Sequence, residues 1–372
     1  MNESNLTLRK ASSVRRRLAF GLAMLILIFM TVTSWSLRRA QHRSAAKAAI
    51  ERAGGWTRKN RAIHVPAWLR PVTDRWLSER IDTIGLNGKH ISTDLAKLLP
   101  WLSETKVMYL DFVTLPKCGL SFVEGMDDLE SLSFDRTPLT DKDLSNLPAS
   151  LKSLLLHGTG ISDEGFAHLL QCRDLTKLFV ERESITDQGT AGLSELLQLE
   201  RLSLKDTEIA DTTAARIANL RQLAFLDLGR CPITDVGVSH FKSLNQMREL
   251  DLAETIITDA GMRYLTSMKD LSSLSLDSTQ VGDAGLVHLK EMKHLKILRL
   301  SQTSVSDAGL KYLGALESLF YLSLAATEVT DDGIQVLQCL SKLERLDVTN
   351  TNVTNEGLSR LRAHLPELEV WN

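Results

Sequence analysis

The chain is poor in the residues and motifs that usually announce chemistry. It has four cysteines (Cys118, Cys172, Cys231 and Cys339), and no two share the spacing of a disulfide framework or a zinc site. Cys172 and Cys231 occupy apolar or small-residue slots of the pattern described below and read as buried small side chains. There is no G-x-S-x-G, no H-E-x-x-H, no Walker loop and no dinucleotide glycine fingerprint. Nothing therefore points to a catalytic residue, and neither a cofactor nor a small-molecule substrate is expected. A basic stripe is missing too. Beyond residue 50 the chain carries 35 basic and 45 acidic side chains, a net charge of −10, which disfavours nucleic acid. Two further absences are local: no charge lies between Leu18 and Leu37, and no tryptophan lies between residues 151 and 342.

What the chain does have is a repeat. From Leu151 to Lys342 a unit of 24 residues runs eight times without insertion or deletion, as L-x-x-L-x-L-x-x-T-x-I/V-T/S-D-x-G-L-x-x-L-x-x-L-x-x. Looser copies start at Ile81, Val107 and Leu129, and a last one at Leu343 runs towards Asn372. A period in the twenties with this leucine spacing marks a solenoid. The L-x-x-L-x-L run fits a strand with one buried face. The later apolar positions recur every three residues, as on a buried helical stripe. The Ser/Thr-Asp step between them, as in Ser162-Asp163, Thr258-Asp259 and Thr330-Asp331, supplies an N-cap and a negative charge at a helix start.

The ninth position holds Thr137, Thr159, Thr207, Thr255, Thr279, Thr303, Thr327 and Thr351, hydroxyls suited to pairing backbone groups where the strand turns away. Cys231 fits that ladder, whereas Glu183 is expected to swing outward with a local distortion. The glycine at position fifteen (Gly165, Gly261, Gly333 and others) is expected to permit close packing between coils, with Asp143 and Thr213 as exceptions.

These units resemble the leucine-rich repeats of the cysteine-containing subfamily found in F-box-type and many bacterial proteins, with threonine in place of cysteine or asparagine. The resemblance covers about three-quarters of the chain. It implies an α/β solenoid, a curved right-handed coil with a concave parallel sheet and short convex helices. It also implies protein binding, without naming the partner.

The ends divide the chain further. Residues 1–17 form a basic tail and 18–37 an uncharged run, LAFGLAMLILIFMTVTSWSL, of the length that spans a bilayer as a helix. A single-pass signal anchor is the leading reading, and a signal peptide cleaved near Val32-Thr33-Ser34 is the alternative. Basic residues flank the run on both sides, so the positive-inside rule is nearly balanced. A short tail before the first hydrophobic segment favours repeats outside the cytoplasm. Residues 38–80 read as linker and N-terminal cap, 81–150 as irregular repeats, 151–342 as the regular array and 343–372 as last repeat and C-terminal cap. All six tryptophans (Trp35, Trp56, Trp68, Trp76, Trp101 and Trp371) lie outside the regular units and are expected to cover open solenoid ends.

Two repeated features look like ligand sets and are not. His168, His240 and His288 share one slot in different coils, too far apart to meet on one metal. The aspartate row Asp141, Asp163, Asp187, Asp211, Asp235, Asp259, Asp283, Asp307 and Asp331 reads as helix-start polarity rather than a calcium ladder. No metal site is expected. What remains is the concave sheet, whose variable positions are free to encode a partner. The candidate binding residues are Lys177, Phe179, Glu181, Arg201, Lys205, Phe225, Asp227 and Asp251, an aromatic-plus-arginine composition typical of interface hot spots. Ile297, Arg299, Phe320 and Tyr321 form a second cluster. The chain thus reads as a non-catalytic, membrane-anchored repeat protein that binds an unidentified protein. An intracellular F-box-like adaptor or regulatory subunit, or a structural or adhesive surface protein, is the alternative.

Overall fold

The computed structural model describes residues 3–60, 80–88 and 90–372. Its frame is one fourteen-stranded sheet whose strands lie side by side in chain order. The strands are β1 (Trp56–Asn60), β2 (Arg80–Gly85), β3 (Val107–Tyr109), β4 (Ser131–Asp135), β5 (Ser153–His157), β6 (Lys177–Glu181) and β7 (Arg201–Ser203). They continue as β8 (Phe225–Asp227), β9 (Glu249–Asp251), β10 (Ser273–Ser275), β11 (Ile297–Arg299), β12 (Tyr321–Ser323), β13 (Arg345–Asp347) and β14 (Glu369–Trp371). Only β1 and β2 are antiparallel; every later neighbour is parallel, the arrangement of a coil that returns in the same sense each turn.

The register gives the turn length directly. Leu250, Leu274, Leu298, Leu322 and Leu346 pair in succession, 24 residues apart, and all are buried. The same step already links Thr83, Val107 and Ser131, so the irregular coils keep the period. Thr105, fully buried, takes the first apolar slot of the second coil, two residues before the start expected at Val107; its Oγ1 donates to Ile81 O (3.2 Å). One turn alone is short: Ser131 pairs with Ser153, a step of 22 residues.

Opposite the sheet the expected helices are two turns long over Asp163–Leu169 and Asp211–Ile217 and a 3₁₀ helix alone over Gly189–Glu195, while from β9 to β12 each is a single α-turn followed by a 3₁₀ turn, as in Asp259–Met262 and Leu265–Ser267. Apolar residues at every third position match three residues per turn, the 3₁₀ period, better than 3.6. The hydroxyl N-caps are in place: Ser162, Thr234, Thr258, Ser306 and Thr330 each accept from a backbone N–H of the first helical turn.

The threonine ladder pairs backbone carbonyls inside the core. Thr255, Thr279, Thr303 and Thr327 donate to the carbonyls of Leu252, Leu276, Leu300 and Leu324 at 2.6–2.7 Å. Cys231 Sγ lies 3.0 Å from Leu204 O of the preceding coil, a carbonyl that Thr207 Oγ1 also reaches (2.6 Å). Glu183 departs from the outward position expected of it. It is buried, and its carboxylate accepts from Thr159 N (2.5 Å), Thr159 Oγ1 (2.9 Å), Gly160 N (2.8 Å) and Ile161 N (3.1 Å). Three backbone donors and a hydroxyl replace the water that a buried carboxylate loses.

The residue before the ladder position adopts a left-handed backbone in every described coil. Gly88 and Gly158 do so freely, but so do Phe112, Arg136, Arg182, Asp206, Arg230, Glu254, Ser278, Gln302, Ala326 and Asn350, with φ between 46° and 66°. The turn lets its N–H reach the carbonyl of the next coil, as in Glu254 N to Asp277 O (2.7 Å) and Ala326 N to Thr349 O (2.8 Å). Side chains with a Cβ tolerate this conformation at a cost of about 1 kcal/mol. Ala326→Gly should therefore raise stability by about 0.5–1 kcal/mol in denaturant titration, and Ala326→Val should lower it.

The aspartate row staples coil to coil. Asp235 accepts from Thr258 N (2.9 Å) and Thr258 Oγ1 (2.6 Å) of the following coil; Asp283 with Ser306 and Asp307 with Thr330 repeat the pair. The role exceeds the helix-start polarity expected from sequence. It also explains the glycine: a Cβ at Gly165, Gly237, Gly261, Gly309, Gly333 or Gly357 would overlap the carboxylate of the preceding coil's aspartate.

At the N-terminal end, helix α1 (Glu3–Arg52) runs unbroken from the basic tail into the cap. Its last turns close the first coil with Ala46 and Ile50, both fully buried. Arg39 and Arg43 pair with the buried Glu104, and Arg39 donates to Ser103 Oγ (3.2 Å). Gly54, at φ 75°, ends the helix. The tryptophans rim the ends rather than plug them. Trp101 stacks on His42 (4.2 Å), Trp56 lies over Gly85, and Trp371 sits 6.4 Å from Tyr321. Trp35 covers no solenoid end; it is exposed, against Arg39 (5.4 Å). Trp68 and Trp76 lie outside the described residues. At the C-terminal end helix Asn355–Arg362 buries Leu358 and Leu361.

Candidate functional site on the sheet face

Because the alternate residues of each strand point away from the core, neighbouring coils line up their variable positions in columns. One column runs Lys177, Arg201, Phe225, Glu249 and the next Phe179, Ser203, Asp227, Asp251. The predicted residues of β6 to β9 therefore stand in one patch. The rings of Phe179 and Phe225 meet edge to face at 5.9 Å. The Arg201 guanidinium lies 4.1 Å from the centre of the Phe225 ring and 3.6 Å from Glu249. Such a stack holds the arginine flat and half-desolvated before any partner arrives.

Both phenylalanines are half-buried, as are Glu181, Arg201, Lys205, Asp227 and Asp251; Lys177 is the exposed member. Ser203, inside the patch by register, is fully buried and is not part of its surface. Two neighbours were missed by sequence reasoning. His157 Nδ1 lies 3.3 Å from Glu181, and Leu155 pairs in register with Phe179, extending the apolar strip by one coil. Their unit begins beside the shortened turn, where the repeat gives least guidance. A third feature, also unforeseen, edges the patch: Arg182, Asp206, Arg230 and Glu254 alternate in charge along the left-handed column. Their contacts are Arg182–Asp206 3.4 Å, Asp206–Arg230 4.0 Å and Arg230–Glu254 2.9 Å.

The acidic half of the patch is strained electrostatically. Burial, and then the charge of neighbouring Asp251, push the Asp227 carboxyl up to about 6, against the help of Gly229 N–H (2.9 Å) and Lys205. Burial likewise raises Asp277 and Asp111. For Asp227 the folded value exceeds the unfolded one. The contribution of Asp227 to stability therefore declines as pH rises from about 4 to 6, where the unfolded chain has released the proton and the folded chain still holds it. Asp227→Asn keeps the bond from Gly229 and should stabilise the protein by about 2 kcal/mol at pH 7. That gain should vanish near pH 4 in denaturant titrations at the two pH values.

The second cluster also assembles. Ile297 pairs with Tyr321, Arg299 lies 5.5 Å over Tyr321, and Arg345 lies 5.6 Å over Phe320. It is separated from the first patch, which ends at β9, by β10, where Ser273 is half-buried and Ser275 buried. Among the described residues no group of three or more His, Cys, Asp or Glu side chains could hold a metal ion. His240 is exposed and His168 and His288 half-exposed, on the side opposite the sheet. Cys172 and Cys231 are buried free thiols, their ionisation pushed up by burial, and Cys118 and Cys339 are exposed and free.

The geometry is shared with known proteins. An internalin from Listeria monocytogenes superposes with a TM-score of 0.65 at 19% identity, over 82% of this chain and 93% of that one. A leucine-rich repeat protein from Leptospira interrogans superposes at 0.50 with 17% identity, over 82% and 92%. At these identities the likeness establishes the fold. No curated protein sequence matches the chain. The model of the leucine-rich repeat region matches residues 150–364, more than half of the chain, and the protein belongs to the leucine-rich repeat family.

Proposed function

We propose that this protein is a membrane-anchored leucine-rich repeat protein that binds another protein through its sheet face, with the repeats outside the cytoplasm. The observation that carries the reading is the patch of Phe179, Phe225 and Arg201, preassembled across three strands. Anchors of this kind carry most interface energy, and a rigid surface lowers the ordering cost of association. Lys177, Glu181, Lys205, Asp227 and Asp251 surround it as a charged rim that selects the partner and its orientation.

The membrane part rests on α1. Phe20, Met24, Ile26, Leu27, Ile28, Phe29, Met30 and Val32 are all exposed along it. Among the described residues no helix is long and apolar enough to cross a membrane. Of the run from Leu18 to Leu37 the structure describes the helical backbone but not every side chain. Its length and lack of charge support a span.

The test combines Phe179→Ala, Phe225→Ala, Arg201→Glu and Lys205→Glu in one variant. Crosslinking in native membranes should recover a partner with the parent chain and at least ten-fold less with the variant, at equal expression. An unchanged set of crosslinked neighbours would overturn the patch assignment. Protease added to intact cells should cleave the repeats; protection until the membrane is opened would reverse the orientation.

A further inference from the structure

Helix α1 is continuous across the end of the apolar run: it passes Leu37 and reaches Arg52 without a break. Its contacts with the solenoid begin almost at once. Arg39 bonds to Ser103 and Glu104, His42 stacks on Trp101 at 4.2 Å with the rings 11° from parallel, and Arg43 pairs with Glu104. From Leu37 to His42 the helix rises about 8 Å. The headgroup layer on each side of the hydrocarbon core is about 5–8 Å thick, and any tilt of the helix brings the contact nearer. No flexible linker separates anchor from solenoid.

On this basis we infer that the first coil is seated in the headgroup layer, with Trp101, Ser103 and the Arg39–Arg43–Glu104 cluster at the lipid surface. The inference rests on the reading of Leu18–Leu37 as an anchor. The chemistry of the seat suits that environment. Trp101 is half-exposed, with an apolar ring and a polar N–H, and Trp35, exposed and stacked under Arg39, stands on the same helix just inside the end of the run. Arg39 and Arg43 are committed to Glu104, which makes the helix and the first coil one body. The solenoid is then held at a set angle to the membrane, and its sheet face is presented in a defined direction instead of swinging on a tether.

The experiment uses the full chain in phosphatidylcholine vesicles carrying a nitroxide on the headgroup or on the acyl chain. Variants retain one tryptophan each (Trp35, Trp101 or Trp371), the others being phenylalanine. Trp101 fluorescence should be quenched at least two-fold more by headgroup nitroxide than Trp371, with Trp35 quenched by both probes. Trp101 quenched no more than Trp371, while Trp35 is quenched, overturns the seating and leaves the anchor standing. An unquenched Trp35 overturns the anchor and the seating with it. A second arm needs no tryptophan replaced: six glycine and serine residues inserted after Arg38 of the native chain should reduce total quenching by headgroup nitroxide. Unchanged quenching shows that the helix does not hold the coil at the surface.

Discussion

Glu183→Ala should cost about 3–5 kcal/mol and loosen the solenoid where its irregular and regular parts join. The buried carboxylate is the common acceptor for Thr159 N, Gly160 N, Ile161 N and Thr159 Oγ1. Thr159 and Ile161 are buried, so removing it strands their donors away from water, while the exposed Gly160 can turn to solvent; each unsatisfied buried group costs about 1–3 kcal/mol before partial relaxation. The site exists because the turn from β4 to β5 is two residues short. In regular coils this N–H bonds to a carbonyl one coil back, as Ser304 N does to Val281 O and Glu328 N to Val305 O. After the short turn Gly158 keeps the left-handed column, but Gly160 departs from the regular coils at φ 84°, and the longer Glu183 side chain reaches back to fill the gap. A solenoid coil touches only its neighbours, so the loss should stay local. Hydrogen exchange at Gly160 and Ile161 should accelerate at least a hundred-fold while exchange at Leu298 and Leu322 changes little. Unaltered exchange at Gly160 would show that Glu183 does not hold this turn. Glu183→Gln, which leaves only one oxygen to accept, should fall between the two.

The leucines made the fold legible, because a strict spacing allows one way of burying them all. Leu274, Leu298 and Leu322 fall where the pattern puts them. The site columns were legible for the same reason: once register is known, Phe179, Arg201 and Phe225 must be neighbours. What the pattern hid were contacts between coils at positions it leaves variable. Glu183 looked like an outward defect because its partners lie a full coil back, at Thr159 to Ile161. The left-handed column was invisible since Arg182, Asp206 and Arg230 carry no glycine to mark it. The three-residue spacing of the apolar positions fits a 3₁₀ turn as well as an ordinary helical stripe, and the backbone decides between them. Of the described tryptophans Trp56 and Trp371 lie at the solenoid ends and Trp35 does not, while the buried closure at the N-terminal end is made by Ala46 and Ile50 of α1.

Gly261→Ala should destabilise the protein by about 2–3 kcal/mol, through Asp235. A methyl group there would overlap Asp235 Oδ1 while clearing Asp235 Cγ by 3.3 Å and Cα by 3.6 Å, so the carboxylate is the obstacle rather than the backbone. Moving it breaks the bonds from Thr258 N and Oγ1 that staple the two coils, each worth about 1–2 kcal/mol for a charged acceptor. Asp235→Ala should cost a similar amount by removing the same bonds. The double variant Asp235→Ala, Gly261→Ala should then cost little more than Asp235→Ala alone, since the methyl group enters space already vacated. Fully additive losses would mean that the glycine serves the backbone rather than the staple. The chain contains its own version of this experiment. Thr213 stands in the glycine slot, and its Oγ1 donates to Asp187 at 2.5 Å. The hydroxyl usually found three positions earlier is replaced there by Ala210, whose N–H keeps its bond to Asp187 at 2.9 Å. Asp187 stays ionised to lower pH than an ordinary carboxylate, because these donors outweigh its partial burial. The slot thus accepts a side chain when that side chain carries the missing donor. Ala210→Thr in the native background should gain little, whereas Thr213→Val should lose the hydroxyl bond of the staple, keep the backbone bonds, and cost about 2 kcal/mol.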